Sequence, residues 1–228
     1  MLLYNLIVEN KELLKIFYAL VIAMICAFIV IKTNRLFKIS SHQGIRYLRN
    51  AFFFYGIAFI IRYFLGVLSF QGDLGQIYNF LIQIFFESFI IMAGFFLLYS
   101  LLQKKIESEV NFNSLFNQKV ILFYGIAFVI AIIDFLWKTS YLMFISQIML
   151  FAYASIIGFI NYKKNGRKHK FLKFYFMAML LSFTAWILNA LAAVYFNWDK
   201  GIMMSIYGIN IIFFLLFLYG IVKVTRVK

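Results

Sequence analysis

The sequence has no proline, one cysteine, two histidines and only 8 acidic residues among 228. Each shortage excludes something. Without proline, the kinked and broken helices of many transporters lose a common cause, and mostly straight helices are expected. Phe, Ile, Lys, Asn and Tyr dominate the chain, so AT-rich codon usage accounts for part of the proline deficit. Cys26 has no partner for a disulfide within the chain, and thiolate metal sites need more ligands. It reads as a small buried apolar side chain. His42 and His169 both fall between apolar stretches, which leaves no histidine within a span to ligate haem. No HExxH, paired acidic motif, phosphate loop or nucleophile elbow occurs. The expectation is a non-enzymatic protein without metal or cofactor.

Apolar residues are what the chain has in excess. Hydrophobic residues make up 65% and aromatics 21% of the sequence, and the mean hydropathy is +0.92. A soluble domain carries about 45–50% apolar residues, so the bilayer must be the solvent for much of this surface. Seven apolar stretches follow one another, at about 13–31, 50–70, 77–102, 120–137, 141–162, 174–196 and 202–222. About 20 residues at 1.5 Å rise cross the hydrocarbon core. The fold class is therefore an all-α integral membrane protein, a single bundle of seven transmembrane helices spanning residues 1–228. Residues 1–12 lack the basic start and small-residue cleavage site of a signal peptide.

Charge sets the orientation. The first, third and fifth connections and the C-terminal tail hold 17 Lys and Arg residues, against 4 in the N-terminal tail and the other connections. The 4 are Lys11, Lys138, Lys200 and Lys15, the last at the outer end of the first span. Positive residues stay on the cytoplasmic side, so the N-terminus is expected outside and the C-terminus inside. Tyr78, Trp137, Tyr141, Tyr195 and Trp198 fall at the outer span ends, and Tyr47 and Tyr162 at the inner ends, as interfacial rings do. Trp186, in mid-span, does not fit that belt. The net charge of +14 then reflects topology and attraction to anionic lipids, not nucleic acid. The expected location is the cell membrane, with a cytoplasmic or membrane protein as a possible partner of the basic face.

Two charges lie deep inside spans: Arg62 in the second and Glu87 in the third. A mid-membrane charge costs about 2.5–3.5 kcal/mol, so each should face the interior and have a partner. The spans are joined by a short turn, QGDLGQ, which makes them neighbours and an Arg62–Glu87 ion pair or water-linked pair the simplest neutralisation. Asn79, Gln83 and Glu87 share one helix face at spacing four. Gln147, Trp186, Asn189, Tyr207 and Asn210 also lie from mid-span outward, and Asp134 lies near the outer end of the fourth span. The inner half is nearly free of polar side chains. Any one of these amides needs no more than a helix-to-helix bond to explain it. Together they outline a pocket opening outward, floored by Arg62 and Glu87 and lined by Gln83, Gln147, Trp186, Asn189, Tyr207 and Asn210. Ala154 and Gly158 form a small-xxx-small pair for close packing. The hexapeptide FYGIAF occurs at 54–59 and again at 123–128; duplication of a hairpin and chance convergence both account for it.

Seven helices with the N-terminus outside resembles opsins and related receptors in topology alone. Microbial opsins hold retinal on a mid-span lysine of the seventh helix. Here that stretch has none between Lys200 and Lys223, so no retinal Schiff base is expected. The leading expectation is a receptor- or sensor-like protein with a pocket for a small ligand. The alternatives are a small proton-coupled transporter using Glu87 and a membrane scaffold.

Overall fold

The structure, a computed structural model, describes residues 11–40, 43–67, 73–102, 115, 118–165, 170–195 and 200–226. His42, His169, Trp198 and residues 1–10 of the N-terminal tail lie outside them. The described residues form seven long helices: α1 (Lys11–Ser40), α2 (Gln43–Phe59), α3 (Asp73–Leu102), α4 (Gln118–Leu136), α5 (Tyr141–Asn165), α6 (Lys170–Val194) and α7 (Lys200–Arg226). Six of them, all but α2, are long and apolar enough to cross a membrane. The chain is an all-α, multi-pass membrane protein.

The exception, α2, has a physical cause. It is α-helical over 17 residues, then continues as a five-residue π-helical turn, Ile60–Phe64, and a 3-10 turn, Leu65–Val67. The Leu65 N–H bonds the Ile60 carbonyl, the wide spacing that marks a π turn. Tyr78 of α3 donates its hydroxyl to the Leu65 carbonyl at 2.7 Å, fastening the irregular end to its neighbour. The straightness expected from the absence of proline fails here, and Arg62 sits within the π turn.

The first connection is also shorter than the sequence suggests. The basic stretch 32–49 is mostly helical, because α1 runs on to Ser40 and α2 starts at Gln43. Basic residues do not end a helix once it leaves the hydrocarbon; they extend it into water. Arg49 donates to Asn34 at 3.1 Å across this corner, and Arg46 lies 4.4 Å over the Phe37 ring. Tyr47, expected at the interface, is instead buried against Phe96 and Tyr99.

The helix α3 is the axis of the molecule. Over its apolar stretch 61% of residues are buried, against 22–39% for the other five spans. It packs on α2, α4 and α5, while α1 meets α2 and α7, and α6 lies between α5 and α7. The result is a closed ring of helices with α4 applied to its outside. The core is aromatic: Phe52, Phe96, Phe151, Phe214 and Phe217 are all fully buried. Phe52 meets Phe217 edge-on at 4.9 Å, and Phe54 stacks on Phe96 at 5.4 Å. Such ring geometries add about 0.5–1.5 kcal/mol per pair beyond burial.

Glycines show where helices touch. A Cβ on Gly94 would lie 3.0 Å from Gln147 Oε1 and 3.1 Å from Leu150, whereas one on Gly125 would meet nothing. Ala154 is buried, and a Cβ on Gly158 would reach the Phe176 backbone at 3.6 Å, so this small pair does seat α5 against α6. The two FYGIAF copies pack differently: a Cβ on Gly56 would meet Cys26 at 3.2 Å, while Gly125 faces open space. Gly94→Ala should lower stability by about 1–3 kcal/mol through overpacking. Gly125→Ala should be neutral or stabilising by about 0.5–1 kcal/mol. Thermal melts in detergent separate the two, and equal losses would show that packing at Gly94 is not the cause.

Candidate functional site

Where α1 and α7 begin and α2 ends, the bundle encloses a cavity of about 730 Å3 lined by residues of all seven helices. Ligand pockets for small organic molecules run from about 300 to 1,000 Å3. Of the eight expected pocket residues, Arg62, Gln83, Trp186, Asn189, Tyr207 and Asn210 line it. Trp186 is half-buried and lies 6.2 Å from the Phe144 ring, which explains an indole so far from the interface. Asn189 bonds back to the Ala185 carbonyl of its own helix at 2.8 Å. Asn79, on the face of Gln83 and Glu87, is exposed and not part of the lining.

Glu87 and Gln147 do not line the cavity. Both are completely buried behind its wall. Glu87 Oε1 accepts from Gln83 Nε2 at 3.1 Å and from Ser140 Oγ at 2.9 Å, and both donors belong to residues of the lining. Glu87 Oε2 is buried with no hydrogen-bond partner. Gln147 Nε2 donates to the Ile90 carbonyl at 3.3 Å, joining α5 to α3, and its Oε1 is unpartnered. The role of Gln147 is therefore helix packing.

Of the two forms expected from the sequence, an Arg62–Glu87 ion pair or a water-linked pair, the direct ion pair is not formed. The π turn carries Arg62 to an exposed position with its guanidinium 4.6 Å over the Phe86 ring. Arg62 and Asp134 act on Glu87 only through space. We expect Arg62→Met and Glu87→Gln to be close to additive in thermal stability, with coupling below about 1 kcal/mol. A double-mutant coupling near the 3–5 kcal/mol of a broken buried pair would restore the contact.

Asp134 has a structural task. Completely buried at the end of α4, its carboxylate accepts the Leu142 N–H at 3.0 Å and the Met143 N–H at 2.7 Å. These are free donors at the start of α5, where a negative charge also opposes the helix dipole. The intervening turn closes by bonds from Lys138 N to the Phe135 carbonyl and from Thr139 N to the Asp134 carbonyl, both 3.0 Å. That is a Schellman stop, whose left-handed residue is usually glycine. Here it is Lys138, with φ of 52°.

Residues missed in the sequence supply much of the wall. Tyr18, Tyr55 and Tyr63 all line it, as do Lys138 and Ser140 of the α4–α5 turn. Tyr18 stacks on Tyr207 at 4.0 Å and 11°, meets Tyr63 edge-on at 5.8 Å, and takes the Asn210 Nδ2 hydrogen bond at 3.0 Å. The Tyr55 hydroxyl is buried without a partner. At the opposite end the core is not wholly dry either: Tyr175 shares a 2.7 Å bond with Ser100 and reaches the Leu97 carbonyl.

No protein-family model matches the chain, and no solved structure does. It is similar to an uncharacterised protein of Archaeoglobus fulgidus, 26% identical over 183 residues that cover 75% of each chain.

Proposed function

We propose that this is a non-enzymatic seven-span membrane protein of receptor or sensor type, with the N-terminus outside and the cavity facing outward. The observation that carries the reading is the cavity itself, about 730 Å3 with converging amides, an indole and phenols in its wall. The basic residues support the orientation. Lys38, Lys163, Lys164 and Lys173 are exposed at the end of the bundle away from the cavity, the face that would meet anionic lipid and any cytoplasmic partner. The α2 segment completes the seventh crossing through its π and 3-10 turns.

Two measurements test this. In a Cys26→Ala background, a cysteine placed within 72–75 should react with a membrane-impermeant reagent added outside, and one within 165–168 should not. The reverse pattern removes the orientation. A small molecule should also co-purify with the wild-type chain and be reduced in Ala193→Phe, which puts a ring into the cavity wall. No such molecule in either protein would favour a scaffold.

One observation favours a second reading, a proton-coupled transporter. Glu87 is a buried carboxylate with one oxygen unsatisfied, one hydrogen bond behind the cavity wall. Intramembrane acids of this kind carry protons in transporters. Proton-driven uptake by proteoliposomes that Glu87→Gln abolishes would decide for it.

A further inference from the structure

We propose that the cavity recognises an organic anion with an apolar or aromatic body, its acid group held by Arg62 and Lys138. The inference rests on the reading of the cavity as a ligand pocket and adds the chemical class of the ligand. Among the described residues, Arg62 and Lys138 are the only charged side chains in the lining. Among the described residues neither is held in a salt bridge; Arg62 rests on the Phe86 ring, which leaves the guanidinium donors directed outward from the stack. The acid that would cancel them, Glu87, is sequestered behind the wall by Gln83 and Ser140. The pocket therefore presents positive charge to whatever enters.

Two further features fit the same ligand. Lys138 occupies the left-handed stop of α4, where glycine would be unstrained. A bulky residue held in that conformation is a feature of functional sites, and here the residue is a lysine that belongs to the cavity lining. Deeper in, Tyr55, Phe59, Ile90, Phe213 and Phe214 make a floor of rings and one aliphatic chain. A cation would meet aromatic faces it favours but also two like charges, each costing it affinity. A small inorganic anion would leave most of the cavity unfilled.

The test uses the purified full chain in a neutral detergent with three probes of matched shape: 3-phenylpropionate, 3-phenylpropanamide and 3-phenylpropylammonium. A ligand that binds only the folded state raises the melting temperature with concentration. The carboxylate should stabilise, and the amide and amine should not. Arg62→Gln and Lys138→Asn should each weaken its apparent affinity about tenfold or more, as loss of a charge-assisted bond does. Arg62 is exposed and asparagine tolerates the left-handed backbone, so both variants should fold. The acid group belongs either to a free acid or to a lipid headgroup. Vesicles of phosphatidylcholine with and without phosphatidylglycerol distinguish them: stabilisation by phosphatidylglycerol that Arg62→Gln removes assigns the site to lipid. Equal stabilisation by all three probes would overturn the anion inference and leave the pocket reading standing. Stabilisation by the amine alone would do the same. If no probe and no anionic lipid acts, the anion inference falls, and the co-purification experiment on Ala193→Phe decides whether the pocket falls with it.

Discussion

Asp134→Ala should destabilise the protein by about 3 kcal/mol, the cost of leaving two formerly charge-assisted backbone donors, one buried and one part-buried, unsatisfied. The carboxylate joins the end of α4 to the start of α5, with bonds of 3.0 and 2.7 Å to Leu142 and Met143 N–H groups. It has no exposed surface, so water does not replace it. Asp134→Asn keeps one acceptor oxygen but turns an amide toward an N–H, and should lose about half as much. Serine or threonine at an ordinary helix start substitutes for aspartate at small cost. Here the cap comes from the preceding helix and reaches across a turn, so Asp134→Ser is too short and should resemble alanine. Thermal melts and SDS titrations of the three variants check the ranking. A loss below about 0.5 kcal/mol for alanine would mean that the α5 start finds other partners.

That role was hidden from the sequence for a definable reason. Composition and hydropathy read Asp134 as one more polar group at an outer span end. Only the three-residue connection hinted that α4 and α5 meet tightly enough for one to cap the other. The helices themselves were legible because about twenty apolar residues in water-insoluble runs have few alternatives. Their ends were not, since α1 and α2 extend past the hydrocarbon through Lys38 and Arg46 without any breaker. Nor was the π turn at Ile60–Phe64 legible. It arises with neither proline nor glycine in its five residues IIRYF, and no local signal marks it.

The candidate site was legible in its amides and its arginine, less so in its acids. Polar residues inside a span are expensive, and that expense makes Gln83, Asn189 and Asn210 conspicuous. Glu87 is conspicuous too, and in the sequence the other intramembrane charge, Arg62, is its simplest partner. The structure satisfies it with Gln83 and Ser140 instead. Ser140 lies in a turn, where a serine is ordinary. Arg62 was freed from Glu87 by the π turn, and a break in helical phase of that kind cannot be counted along a sequence. The tyrosines were the larger omission. In a chain with 15 tyrosines, phenols at span ends read as interfacial, and nothing distinguished Tyr18 and Tyr63 from Tyr141.

Tyr18 is where that omission can be measured. Its ring is 2% exposed, stacked on Tyr207 at 4.0 Å and edge-on to both Phe59 and Tyr63. Its hydroxyl receives the Asn210 amide, so one side chain of α1 fixes two residues of the α7 wall. Tyr18→Ala should cost about 3 kcal/mol, the lower part of the range for removing a buried ring. The lower part applies because lipid, unlike water, gives little transfer penalty between helices and leaves packing as the main term. Tyr18→Phe keeps the stack and loses only the hydroxyl, so about 0.5–1 kcal/mol is expected, near the average for a hydrogen bond inside a membrane. The ligand pocket adds a second readout. Phenylalanine should leave probe binding within a few-fold of wild type. Alanine should weaken it in the protein that remains folded, because Tyr207 and Asn210 lose their support together. If alanine were tolerated with binding intact, α1 would be a bystander to the cavity. If phenylalanine were as harmful as alanine, the Asn210 bond would outweigh the stacking and the wall would be held by polarity, not by rings.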